Sequence, residues 1–113
     1  MVNRGQIWWA DLQNLTGSKP GFIRPVLVVQ ADTFNQSRIG TVVVIAITSN
    51  LRLAKAPGNV MISKNKSGLS KDSVINVSQI STLDKDALTE VVGNVDRLIM
   101  HQVDEGVRLL LSV

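Results

Sequence analysis

The chain has 113 residues with 44% apolar side chains, a single histidine, no cysteine and a formal net charge of +3. That size suits one domain over residues 1–113 with a real core, while the missing cysteines exclude disulfides and thiolate catalysis and leave few ligands for a metal. The N-terminus lacks the layout of a secretion signal, and the longest apolar run, Val42 to Ile47, is too short to span a bilayer, so a soluble, cytoplasmic protein without a membrane partner is expected.

Gln6 to Leu12 reads as a first strand, entered through Gly5. Its adjacent Trp8 and Trp9 must point to opposite faces, and core or interface packing is the expected use of both. The stretch from Gly17 to Val29 starts as a Gly/Pro-punctuated loop and ends as an apolar strand, Pro25 to Gln30, covered on both faces. Arg24 stands at the junction, held extended by the proline that follows it. Ala31 to Gly40 is a polar connection or short helical turn. Thr41 to Thr48 is a third strand, β-branched almost throughout, and Leu51 to Ala56 is a cationic loop. Asn59 to Ser63 is a fourth strand after the Pro57-Gly58 turn, followed by a basic connection from Lys64 to Lys71.

Asp72 to Ser81 alternates apolar and polar residues as a strand with one face on the core, and Ser81 to Asp86 turns. Thr89 to Val92 is a short last strand. A long helix then opens at Asn94 as N-cap, with Val95, Leu98, Ile99, Val103, Val107 and Leu110 as its apolar face and His101 opposite, exposed. Several short strands closed by one amphipathic helix imply an α+β domain built as a small barrel or strongly curled sheet.

Charge is unevenly spread. Residues 1–71 hold nine lysines and arginines against two aspartates, and residues 72–113 hold three against seven acids. A basic surface built by the first part suits a polyanion.

Phosphate-loop, dinucleotide and nucleophile-elbow signatures are absent, and Asp84-x-Asp86 lacks the rest of a calcium loop. What is present is a cation, Arg24, with the hydroxyls of Ser18, Thr48 and Ser49 and the amides of Asn50 and Gln79, all at strand ends beside basic loops. Position and type alone describe Arg24 as a rim arginine; in this company it suits a phosphodiester. The 2′-hydroxyl of RNA carries its own nucleophile, so a protein need only align it and stabilise the charged phosphorus centre. DNA, lacking that hydroxyl, would not be cut.

The runs Arg4 to Leu12, Gly17-Ser18, Arg24 to Val29 and Ala46-Ile47-Thr48-Ser49 resemble the MazF/PemK (Kid-like) toxins of bacterial toxin–antitoxin systems. So does Asp72 to Ile75 with Gln79-Ile80 and Thr82-Leu83-Asp84. The resemblance covers essentially the whole chain. It implies an SH3-like, CcdB/MazF-type curled β-barrel with a C-terminal helix, a homodimer, and a metal-independent, sequence-specific endoribonuclease that acts on single-stranded mRNA without any cofactor. It further implies 2′,3′-cyclic phosphate and 5′-hydroxyl products, and an antitoxin partner whose acidic, disordered tail covers the RNA site. By position Arg24 matches the family's catalytic arginine and Thr48 its catalytic threonine. Gly17, Ser18 and Lys19 match the loop bordering the RNA groove, and Gln79 matches an RNA-contacting position. Ser49, Asn50 and Arg52 join the RNA-binding set from the strand end and cationic loop beside Thr48. The chain departs from many relatives at Lys19-Pro20, where they carry Glu-Gln, and at Ser81, where some carry arginine. Two other readings keep a similar fold without the chemistry: a gyrase-poisoning toxin of the CcdB type, and an RNA-binding SH3-like module.

Overall fold

A computed structural model describes residues 1–12 and 22–113. Six strands, β1 (Gln6–Asp11), β2 (Ile23–Val28), β3 (Thr41–Thr48), β4 (Val60–Ile62), β5 (Ser73–Asp84) and β6 (Leu88–Asn94), form one sheet in the order β4-β5-β3-β2-β1-β6. Every pair is antiparallel. Short helices α1 (Asp32–Asn35) and α2 (Lys64–Ser67) lie in connections, and α3 (Arg97–Leu111) closes the chain. No helix among the described residues is long and apolar enough to cross a membrane.

Two apolar clusters flank the central strands because their side chains alternate. Leu27, Ile45, Ile47, Ile75 and Val77 face Ile99 and Val103 of α3. Ala10, Val26, Val28, Val42 and Val44 share the other side with Leu83, as the sheet curls over itself. The two tryptophans divide as strand geometry requires: Trp9 packs on the first cluster and Trp8 on the second.

Several boundaries differ from the sequence expectation. β2 begins at Ile23, so Arg24 lies inside the strand rather than ahead of it. β5 runs through the expected turn to Asp84, because Thr41 to Val44 of β3 pair with Ser81 to Asp84. Asn94 ends β6, and Asp96 caps α3 instead, its carboxylate accepting from Ile99 N at 2.9 Å. The helix buries a narrower stripe than its periodicity suggested. Leu98 is 61% exposed and Leu110 42%, and Gly106 takes the inner position. Gly106 is there because α3 lies directly on the turn at Gly58: a Cβ on Gly106 would stand 2.1 Å from the Gly58 carbonyl oxygen. His101 is exposed, as expected.

Arg4 ties the N-terminus to this frame. Its Nε donates to the Val29 carbonyl at 2.9 Å, its Nη2 pairs with Asp104 on α3, and its backbone N–H donates to Asp32 at 2.7 Å.

Candidate RNA-cleavage site

The β2–β3 ladder runs Val28↔Val44, Leu27↔Ile45, Val26↔Ala46 and stops there. It stops at the residue after Pro25, which has no N–H to give a further rung. Continuing that register by one alternate pair sets Arg24 opposite Thr48, where the two strands are no longer hydrogen-bonded to each other. From the same point β3 stays attached only to β5, through Ile47↔Ile75 and Thr48↔Val74.

The β5 side is irregular at the same level. Ile45 pairs with Ile80 and Ile47 with Ile75, so residues 76–79 of β5 stand against Ala46 alone. A bulge of this kind bends a strand and re-aims its side chains. Val77 stays in the core, whereas Asn76 and Gln79 turn to the opening.

The unzipped ladder and the bulge together open a cavity of about 680 Å³. Its described lining includes Phe22, Arg24, Thr48, Ser49, Lys71 and Gln79, over a floor formed by Trp9, Leu53 and Leu69. That lining carries two cations and no carboxylate. The described lining of a second cavity differs, with Asp11, Asp84 and Asp86 in place of Arg24 and Lys71. The cations of the first suit a polyanion.

Arg24 is exposed, and its guanidinium carbon lies 4.5 Å from the Phe22 ring centroid. Nη1 donates to the carbonyl of Ile23 at 3.1 Å. No carboxylate pairs with it among the described residues, and it lines the cavity. A guanidinium seated on a ring keeps its fork in a set plane, which suits bidentate contact with two phosphate oxygens. Thr48 Oγ1 accepts from Asn50 N at 3.1 Å. That bond occupies a lone pair and leaves the hydroxyl hydrogen for an incoming oxygen.

The other sequence-derived positions separate. Ser49 and Gln79 line the cavity with Arg24 and Thr48. Asn50 and Arg52 stand outside the lining. The Asn50 side chain accepts from Arg52 N at 3.2 Å and so caps the tight turn Leu51–Lys55. Gly17, Ser18 and Lys19 lie outside the described residues.

Lys71, Ser73 and Asn76 were missed by sequence reading. Lys71 belonged to a stretch of interchangeable solvated cations; in the structure its carbonyl accepts from Ser73 Oγ at 3.0 Å, which fixes it at the start of β5. Asn76 looked like the solvent face of an alternating strand, and nothing local announces a bulge there.

A family model described as PemK-like, MazF-like toxin of type II toxin–antitoxin system matches residues 3–111. Endoribonuclease MazF6 of Mycobacterium tuberculosis is 47% identical over 113 residues, covering 100% of this chain and 99% of the relative. Endoribonuclease EndoA of Bacillus subtilis is 40% identical, covering 100% of this chain and 97% of the relative. Among solved structures, an endoribonuclease in complex with its cognate antitoxin from a mycobacterial species superposes with a TM-score of 0.81 at 25% identity, covering 100% of this chain and 97% of that one. A MazE–MazF crystal structure from Deinococcus radiodurans shares the fold at a TM-score of 0.76 and 20% identity, covering 99% and 96%.

Proposed function

The chain belongs to the PemK-like, MazF-like toxins of type II toxin–antitoxin systems, and from that premise we propose that it is a metal-independent, sequence-specific endoribonuclease acting on single-stranded mRNA. The observation that carries this reading is the convergence of Arg24 and Thr48 on one cavity whose described lining holds no carboxylate. The relatives' names favour catalysis over the gyrase-poisoning and binding-only alternatives.

In the proposed reaction the ribose 2′-oxygen attacks the adjacent phosphorus and the bond to the 5′-oxygen of the next nucleotide breaks. The products are a 2′,3′-cyclic phosphate and a 5′-hydroxyl. Arg24 binds two non-bridging oxygens and stabilises the charge that builds on them, and Thr48 donates to a phosphate oxygen and orients it. The 2′-hydroxyl proton passes to water or to a phosphate oxygen, since a guanidinium is a poor acceptor. The departing 5′-oxygen takes up a proton from water or from Arg24, which regains it from solvent. Lys71 and Lys19 hold the flanking backbone by charge, and Ser49 and Gln79 contact the strand along the groove. Gly17 and Ser18 are assigned to RNA binding by the family resemblance alone.

The partner that fits this cationic opening is an antitoxin with an acidic, disordered tail, which would occupy the RNA path. A homodimer is supported by the exposed apolar side chains of α3, Leu98 and Leu109.

The test is to map cleavage on a long mRNA in EDTA with the wild type and Arg24→Ala side by side. Discrete cuts by the wild type that fade with the variant support the reading. Intact mRNA, or cuts that survive Arg24→Ala, would overturn it.

A further inference from the structure

Next to the cavity residue Asn76 stands an amide, Asn59, whose orientation is dictated by backbone groups. Asn59 donates from Nδ2 to the Leu53 carbonyl at 2.9 Å, and its Oδ1 accepts from Val77 N at 2.9 Å. A carbonyl oxygen only accepts and a backbone N–H only donates, so the Asn59 amide has one allowed orientation. The same Nδ2 lies 3.1 Å from Asn76 Oδ1, which must therefore be the oxygen end of that side chain. Ser78 Oγ donates to this oxygen as well, at 3.2 Å.

Both acceptor positions of Asn76 Oδ1 are thus filled by the chain itself. Its Nδ2 carries two hydrogens and has no protein partner among the described residues. Asn76 is half-buried on the wall of the cavity that contains Arg24, Thr48 and Gln79. A free asparagine offers a base edge one donor and one acceptor together, the pairing that suits adenine. Asn76, with its oxygen engaged, offers donors alone.

We propose that Asn76 is a base-reading residue: its Nδ2 donates to the keto oxygen of a uracil or guanine held in the cavity, and Asn59 is the positioning residue that fixes it. Uracil presents O4, and guanine O6 beside N7, at the positions where cytosine and adenine carry amino groups, so each can meet a pure donor there. The exocyclic amino groups of cytosine and adenine would oppose donor to donor. This inference rests on the endoribonuclease reading and adds the part of the site that selects sequence.

The experiment digests a random-sequence single-stranded RNA pool with the wild type, Asn76→Ala and Asn76→Asp, and sequences the cut ends. The wild type should favour uracil or guanine at one position of the cleavage site. Asn76→Ala should relax that preference by about three- to tenfold, the worth of one neutral hydrogen bond. Asn76→Asp keeps the oxygen that Asn59 holds and turns a second oxygen outward, so the same position should swing toward cytosine or adenine. Simple damage to the fold lowers cutting at every site alike and leaves base choice unmoved. If Asn76→Ala does not fold, the nearly isosteric aspartate carries the test alone. Superimposable preferences would overturn the role of Asn76 while leaving the ribonuclease reading intact. A wild type that cuts no RNA overturns that reading, and this inference with it.

Discussion

Gly106→Ala puts a single methyl group between α3 and the Gly58 turn. The ideal Cβ lies 2.1 Å from the Gly58 carbonyl oxygen and 3.0 Å from its carbonyl carbon. Both atoms are backbone, so no side chain can rotate aside. The turn cannot readily move either, since Gly58 itself has φ +81° and a Cβ there would meet Val77 at 3.1 Å. The helix must lift by more than 1 Å to restore a contact near 3.4 Å, loosening Ile99 and Val103 against the core. Overpacking of this kind costs about 1–3 kcal/mol. Alanine's better helix propensity returns about 1 kcal/mol. Because two backbones collide here, the cost belongs near the top of its range, leaving a net loss of about 1–2 kcal/mol. For a domain of this size that lowers the thermal midpoint by roughly 4–12 °C. Thermal unfolding followed by far-UV circular dichroism, with a urea titration beside it, reads the effect directly. A midpoint at or above wild type would refute the reasoning, because it would mean that helix propensity outweighs a contact that does not exist as described.

Arg24→Ala should lower kcat by about 10²–10³, the usual effect of removing one preorganised charge-stabilising group. Arg24→Lys should recover only part of this, since lysine keeps the charge and loses the fork; steady-state cleavage of a short labelled RNA decides both. Thr48→Val, which keeps the shape and removes the donor, should cost about ten- to a hundredfold in the same assay, as for a hydrogen bond to a charged group. Lys71→Ala should weaken RNA binding and reduce the salt slope by about 0.7, one phosphate's share on a single strand, measured by fluorescence anisotropy from low to high salt. An unchanged slope would remove Lys71 from the site.

Acid sensitivity gives an independent check on the N-terminal tie. Asp32 is held below the usual carboxylate range, first by the N–H of Arg4 and then by the Asn35 amide. A lowered folded value means that the stabilisation is present above the unfolded value of about 3.9 and lost as pH falls through the folded one. Asp32→Asn should therefore be less stable than wild type at pH 7, with a narrower gap at an acidic pH below the unfolded value. Thermal midpoints at both pH values test it, and a gap that widens with acid would contradict the sign.

The strands and the two-sided core were legible in the sequence because they rest on alternation. Trp8 and Trp9, or Val26, Leu27 and Val28, could not all share a face. Arg24 and Thr48 could be proposed because they stand near strand ends next to recognisable runs. Their distance from each other could not, because it depends on where the β2–β3 ladder stops and on which residues pair across it. The bulge at 76–79 was hidden for a related reason: it arises from the mismatch between β3 and β5, not from any local turn residue. Asn76 and Asn59 belong to one hydrogen-bond network at a separation of 17 residues, which no periodicity reports. Helix α3 misled in part, since Leu98 and Leu110 follow the apolar spacing yet face outward once Gly106 sets the helix on the Gly58 turn.

The central claim is that the substrate's own 2′-hydroxyl is the nucleophile, with Arg24 and Thr48 acting on the phosphate. The most direct measurement uses a labelled single-stranded RNA in EDTA, with and without one 2′-deoxy substitution at the scissile nucleotide, and analyses the ends by mass spectrometry. The account predicts cleavage of the all-ribose strand to a 2′,3′-cyclic phosphate and a 5′-hydroxyl, and none at the substituted site. Cleavage of the deoxy-substituted strand, or 5′-phosphate ends formed only when magnesium is added, would contradict it.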